Sequence, residues 1–232
     1  MTDLQVLKNK LDELRQLSGG KAGSYKPVPE KEIHHFEQKY GVILPHEYRN
    51  YLLEVGYDGY LSPLKESLER SYNNWSLGDS IPENMAEILQ KPFSFRPSWE
   101  LPPFDGDDVL QLKYHYDQCY GGWLSILNTH VESSYILVLN GEEYGNVWLE
   151  TIGGGGQIFP VIEIDGMVAT FLTALHERGN HSHPHVDFYK WYESFLDSRM
   201  ISRKGNLQAR KVSNTSLIQD QHSPYYTDKE TE

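Results

Sequence analysis

The sequence is short of cysteine, of long apolar runs and of positive charge, and each shortage closes off a class of function. The single cysteine, Cys119, has no partner for an intrachain disulfide, and one thiolate is too few for a cysteine-rich zinc site. A reducing, cytoplasmic setting is the expectation. No stretch approaches the roughly 20 apolar residues of a membrane-spanning helix, and the amino terminus, MTDLQVLKNKLDEL, has no apolar run after a basic start. Neither export nor membrane insertion is expected. Lys and Arg number 21 against 33 Asp and Glu, and the resulting net charge of −12 disfavours non-specific attraction to nucleic acid or an anionic membrane.

What the chain does contain is core material and clustered acid. Of 232 residues 38% are hydrophobic and 12% aromatic, with 16 Tyr and 5 Trp, enough for a folded domain. Such aromatics serve both cores and interfaces. Between Glu100 and Leu175 eleven acids (Glu100, Asp105, Asp107, Asp108, Asp117, Glu132, Glu142, Glu143, Glu150, Glu163, Asp165) face one base, Lys113. This window is either a solubilising surface or a docking face for a basic partner.

Periodicity divides the chain into helices, then strands, then helices. Thr2 and Gln5 have capping-box spacing, and Leu4, Leu7, Leu11 and Leu14 form one stripe of an amphipathic helix ending at Gly19-Gly20. A second helix begins near Pro29, buries Ile33, Phe36 and Tyr40, and stops at Gly41. A third starts at Pro45, carries Tyr48, Tyr51, Leu52 and Val55 on one face, and ends at Gly56. Short helices are expected over 64–72 and 83–89, with prolines enforcing irregular connections from 92 to 103. Short β-branched and aromatic runs at 123–127, 135–140, 146–152 and 157–162 predict an antiparallel meander, because parallel pairing needs crossovers of a dozen or more residues. Helices over 169–177 and 187–197 follow, the second with an apolar stripe of Phe188, Trp191, Tyr192, Phe195 and Leu196. The expected organisation is an amino-terminal helix and linker (1–26), one α+β domain (27–199) and a polar, disordered tail (200–232). The spacing leaves open whether the first helix packs on the domain or pairs with another chain.

Three stretches resemble the SUKH superfamily, which includes the fungal cell-wall assembly regulators and many bacterial immunity proteins. Pro29-Glu30 through Tyr40-Gly41, then Leu44-Pro45-His46-Glu47-Tyr48-Arg49 and Tyr51-Leu52-Leu53 up to Gly56, are similar to the family's helical signature. Gly122-Trp123-Leu124-Ser125-Ile126, Tyr135 to Gly141 with its Asn-Gly turn, and Gly145-Asn146-Val147-Trp148 are similar to its strand core. Asp187 to Leu196 resembles the closing helix of bacterial members. The resemblance implies a single domain with a strongly bent antiparallel sheet flanked by helices, and no catalytic site or cofactor. It implies a partner as well: bacterial members neutralise toxins, often nucleases, by binding them, and an acidic face suits a basic toxin domain. Asp105, Asp107, Asp108, Glu142 and Glu143 with Tyr144 are the expected partner-binding residues. The rival expectation is a regulatory scaffold of the wall-synthesis type.

Other constellations yield to simpler readings. His176, His181, His183 and His185 are dense enough for a metal, but no H-E-x-x-H pattern accompanies them and Pro184 marks a loop. Gly153 to Gly156 lacks a following Gly-Lys-Ser/Thr and reads as a turn. Asp105-Gly106-Asp107-Asp108 lacks the later calcium ligands and closing Glu. Trp123, Trp148 and Trp191 belong to the expected core, whereas Trp75 and Trp99 are candidates for an interface. Cys119 has no His-acid arrangement and reads as inert.

Overall fold

Helix boundaries fall where the local chemistry places them. The computed structural model describes residues 2–20, 25–73, 83–95, 121–130, 133–151, 158–169 and 183–221. In α1 (Asp3–Leu17) the Thr2 hydroxyl accepts from the Gln5 backbone N–H. In α2 (Glu30–Tyr40) Gly41 takes the left-handed conformation at φ 63° that closes the helix. α3 (His46–Glu54) starts after Pro45 and is followed by α4 (Leu64–Asn73) and α5 (Met85–Gln90). Residues 170–177 of the helix expected over 169–177, the Gly153–Gly156 turn, Cys119, Trp75 and Trp99 lie outside the described residues.

The strands pair in chain order. β1 (Trp123–His130), β2 (Ser133–Val138), β3 (Val147–Glu150) and β4 (Ile158–Pro160) form one antiparallel sheet, β1-β2-β3-β4. This is the expected meander, and with its helices it makes the protein an α+β fold. A second two-stranded ribbon, β5 (Glu163–Ile164) and β6 (Met167–Val168), turns at Asp165-Gly166, both with positive φ (51° and 80°), as a two-residue hairpin requires. All four residues of β3 are buried, including Val147, Trp148 and Leu149, so the sheet is covered on both faces. Trp123, Trp148 and Trp191 are core residues, as the sequence predicts.

The last helix, α6 (Phe188–Gln221), binds the amino terminus to the domain. Leu7, Leu11 and Leu14 of α1 join the same core cluster as Phe188, Trp191, Tyr192 and Leu196. Each buried leucine contributes about 1.5–3 kcal/mol of apolar burial. Lys10 of α1 bridges Glu193 and Asp197 of α6 at 3.0 and 2.5 Å, and Lys204 reaches Glu13 at 2.7 Å. The question the leucine stripe leaves open is thus answered within the chain. α6 also runs past residue 200, where composition places the start of a polar tail. Residues 201–208 are all exposed, and their helix-favouring Arg, Lys, Leu and Gln continue the helix beyond the core.

Tertiary packing assigns contrasting roles to the buried tyrosines. Tyr51 donates to Asp58 Oδ2 at 2.5 Å, and the Tyr192 hydroxyl donates to the same oxygen. Tyr48, equally buried and edge-on to Phe188, has no hydrogen-bond partner for its hydroxyl among the described residues. Burial pushes that hydroxyl far above its ordinary titration range. Tyr48→Phe is therefore expected to leave stability unchanged or raise it by up to about 1 kcal/mol, since it removes an orphaned polar atom. Urea unfolding checks this; a loss of the size expected for Tyr51→Phe would show that Tyr48 has a polar partner.

Candidate protein-binding surface

The segment joining β2 to β3, residues 139–146, is a turn held from several sides. Tyr144 N–H donates to Gly141 O and Gly145 N–H to Val138 O, closing it internally. Phe93 N–H donates to Asn140 O, and the Asn140 amide donates to Gln90 O at 2.5 Å. Gln90 in turn donates to Tyr40 O at 3.0 Å, tying α5 and the turn to the end of α2. The Tyr144 hydroxyl reaches the Ile43 carbonyl at 3.3 Å. A turn anchored this way presents its side chains at low ordering cost to a partner.

Of the six expected partner-binding residues, three lie on this turn and they do different things. Glu142 is exposed, and Tyr144 is 45% exposed. Glu143 is turned inward: its Oε2 accepts from Asn146 Nδ2 at 3.0 Å and Trp148 Nε1 at 3.4 Å, and lies 2.6 Å from His185 Nδ1. Asp105, Asp107 and Asp108 lie outside the described residues. His185, one of the four clustered histidines, also stacks edge-on to Trp148 at 5.7 Å, so it ties the segment before α6 to the turn. His176 and His181 lie outside the described residues, and among those described no three or more His, Cys, Asp or Glu gather to hold a metal. Other acids of the window are engaged too: Glu163 pairs with Lys190, and Glu150 is buried.

Burial opposes ionisation of Glu143, but hydrogen bonds from His185, Asn146 and Trp148 outweigh it and hold the carboxyl below its usual range. A folded value below the unfolded one stabilises the protein above the unfolded pKa, and that stabilisation is lost as pH falls through the folded value. Wild type and Glu143→Gln are therefore expected to differ in urea midpoint at neutral pH and to converge in acid. A gap independent of pH would exclude this account.

What sequence inspection misses is the neighbour of the turn. Val42 and Leu44 are buried, but Ile43 between them is 71% exposed beside Tyr144. Glu37 holds that loop, accepting from Leu44 N–H at 3.0 Å with Arg49 Nε 3.6 Å away. Burial, and then the charges of Glu37 and Glu47, push the Tyr144 hydroxyl up. Burial, followed by Glu47, pushes Tyr189 up to about 12. The surface thus combines an exposed isoleucine and tyrosine with the acids Glu142 and Glu47, an apolar centre with a charged rim of the kind proteins use to bind proteins. Only tertiary contact brings residues 43 and 144 together; Val42, Ile43 and Leu44 read alike in the sequence, and nothing local marks the middle one as exposed.

The helices and the four-stranded antiparallel sheet define a domain of the α+β class. The chain belongs to the SMI1/KNR4 family (SUKH-1), whose model matches residues 27–163. The match spans the helical signature and the strand core; α1 and α6 lie outside it. Searches of curated proteins and of solved structures returned no match. No described helix is long and apolar enough to cross a membrane.

Proposed function

We propose that this chain is a non-catalytic immunity protein that neutralises a basic toxin domain, of nuclease type, by covering it with the surface around Ile43, Glu142 and Tyr144. The observation that carries this is the pinned turn: it holds an exposed tyrosine against an exposed isoleucine in a negatively charged setting. The family supports binding by either an immunity protein or a regulator. Clustered acid favours the first, because nuclease domains hold phosphates on basic surfaces and a complementary face speeds encounter. The exposed acids steer; Ile43 and Tyr144 form the dry contact. No cofactor enters. The mode of action is occlusion.

The test uses tagged full-length protein in a lysate of its own cells, with retained proteins identified by mass spectrometry. A basic toxin domain held one to one is expected; wall-synthesis or signalling proteins without a toxin would assign the regulatory scaffold instead. With the partner in hand, Ile43→Asp combined with Tyr144→Ala is expected to weaken binding by about 2 kcal/mol, roughly 30-fold. Glu142→Arg is expected to slow association and flatten its salt dependence. Calorimetry and stopped-flow fluorescence read these, and unchanged values would remove this surface from the interface.

A further inference from the structure

A second surface has the opposite charge. α2 packs on α5 and α4 packs on β1, and between α2 and α4 runs an open groove of about 530 Å³. Its floor is apolar: Phe36 and Tyr40 from α2 face Leu64 and Leu68 from α4, with Tyr57 and Pro63 at one end. Its rim is basic, with Lys31, His35 and Lys39 along α2 and Lys65 on α4, against Glu32. Lys65 approaches Glu69 at 3.8 Å, but Lys31 and Lys39 have no ion pair among the described residues, and Lys39 lies over the Tyr40 ring. Glu37, on the opposite side of α2, faces Arg49, so this groove and the Ile43 surface are separate.

We infer that this groove binds an acidic amphipathic helix of a partner protein. Lys31 and Lys39 stand eight residues apart on α2 with the His35 imidazole between them, which sets two positive charges about 12 Å apart along the helix. A single anionic headgroup would be met by convergent cations. Cations spaced along the rim, Lys31 and Lys39 on α2 and Lys65 on α4, match carboxylates spaced along one side of a ligand helix. The apolar floor, formed by the outer edges of the core residues Phe36, Tyr40, Leu64 and Leu68, suits leucine-type side chains at i, i+3 and i+4. On a chain of net charge −12, a basic-rimmed groove also selects against the basic partner proposed for the other face.

The test is fluorescence anisotropy on the full chain. The probe is a labelled peptide of about four helical turns with leucines on one face and flanking glutamates. Its controls are a scrambled peptide and one with lysine for every glutamate. Only the acidic amphipathic peptide is expected to bind, more weakly as salt rises. Lys31→Glu, Lys39→Glu and Lys65→Glu together are expected to cut its affinity at least about tenfold. Ile43→Asp with Tyr144→Ala should leave it unchanged, so failure here is distinguishable from failure of the toxin-binding reading. Equal binding of the scrambled peptide, or full binding by the triple variant, would overturn the proposal. So would saturable binding of decanoate without the peptide, or a dimer in sedimentation that buries the groove.

Discussion

Gly56→Ala is expected to cost more than about 4 kcal/mol, a large part of the roughly 5–15 kcal/mol that holds a typical domain folded. Gly56 sits at φ 73°, where a left-handed conformation costs an L-residue about 1–2 kcal/mol. The greater obstacle is space. An added Cβ would lie 1.7 Å from the Lys26 carbonyl oxygen, 2.3 Å from its carbon and 2.7 Å from Pro27 Cα, all of them backbone. That segment cannot step aside, since Lys26 N–H donates to Val55 O, Tyr57 N–H to Lys26 O and Val28 N–H to Leu52 O. Gly145→Ala is the control: φ is 87°, but the nearest atom would be Pro45 Cβ at an ordinary 3.7 Å. Urea unfolding of both variants separates conformational strain from close approach, and equal losses would refute the crowding argument.

Asp58→Ala is expected to cost about 3–5 kcal/mol, because it orphans several buried donors at about 1–3 kcal/mol each. Asp58 is 1% exposed. One carboxylate oxygen accepts from Tyr51 and Tyr192; the other accepts from the backbone N–H groups of Tyr60 at 2.8 Å and Leu61 at 3.2 Å. Burial raises both tyrosines well above their ordinary range and the negative carboxylate adds to it, so both remain donors at neutral pH. The network joins α3, the loop after it and α6, residues 51, 58 and 192. Tyr51→Phe and Tyr192→Phe should each cost about 1 kcal/mol, and neither should add fully to Asp58→Ala. Denaturation of the three single variants and of the two doubles with Asp58→Ala measures this, and a loss under about 0.5 kcal/mol for Asp58→Ala would show the donors are satisfied by other groups.

Both predictions concern residues whose weight the sequence conceals. Gly56 reads as the stop of α3, which it is, since its N–H donates to Tyr51 O, but nothing local shows the backbone of residue 26 passing beneath it. Asp58 reads as a polar residue in a loop. The same holds at the candidate surface. Glu142, Glu143 and Tyr144 are legible as an acidic turn after an Asn-Gly signal. Whether a carboxylate points outward or inward depends on Asn146, Trp148 and His185, and His185 lies 42 residues away.

The sequence by itself determined what local chemistry controls: the helix starts at Thr2, Pro29 and Pro45, the stops at Gly41 and Gly56, the apolar stripes that become the core, and the antiparallel meander of closely spaced strands. These follow from periodicity, capping and the reach of short connections. Tertiary structure alone decided that α1 docks on α6, that Asp58 gathers two tyrosines, that Ile43 meets Tyr144 and that lysines line a groove between α2 and α4. Each joins residues or elements well apart in the chain, and long-range packing chooses among the many juxtapositions that local preferences permit.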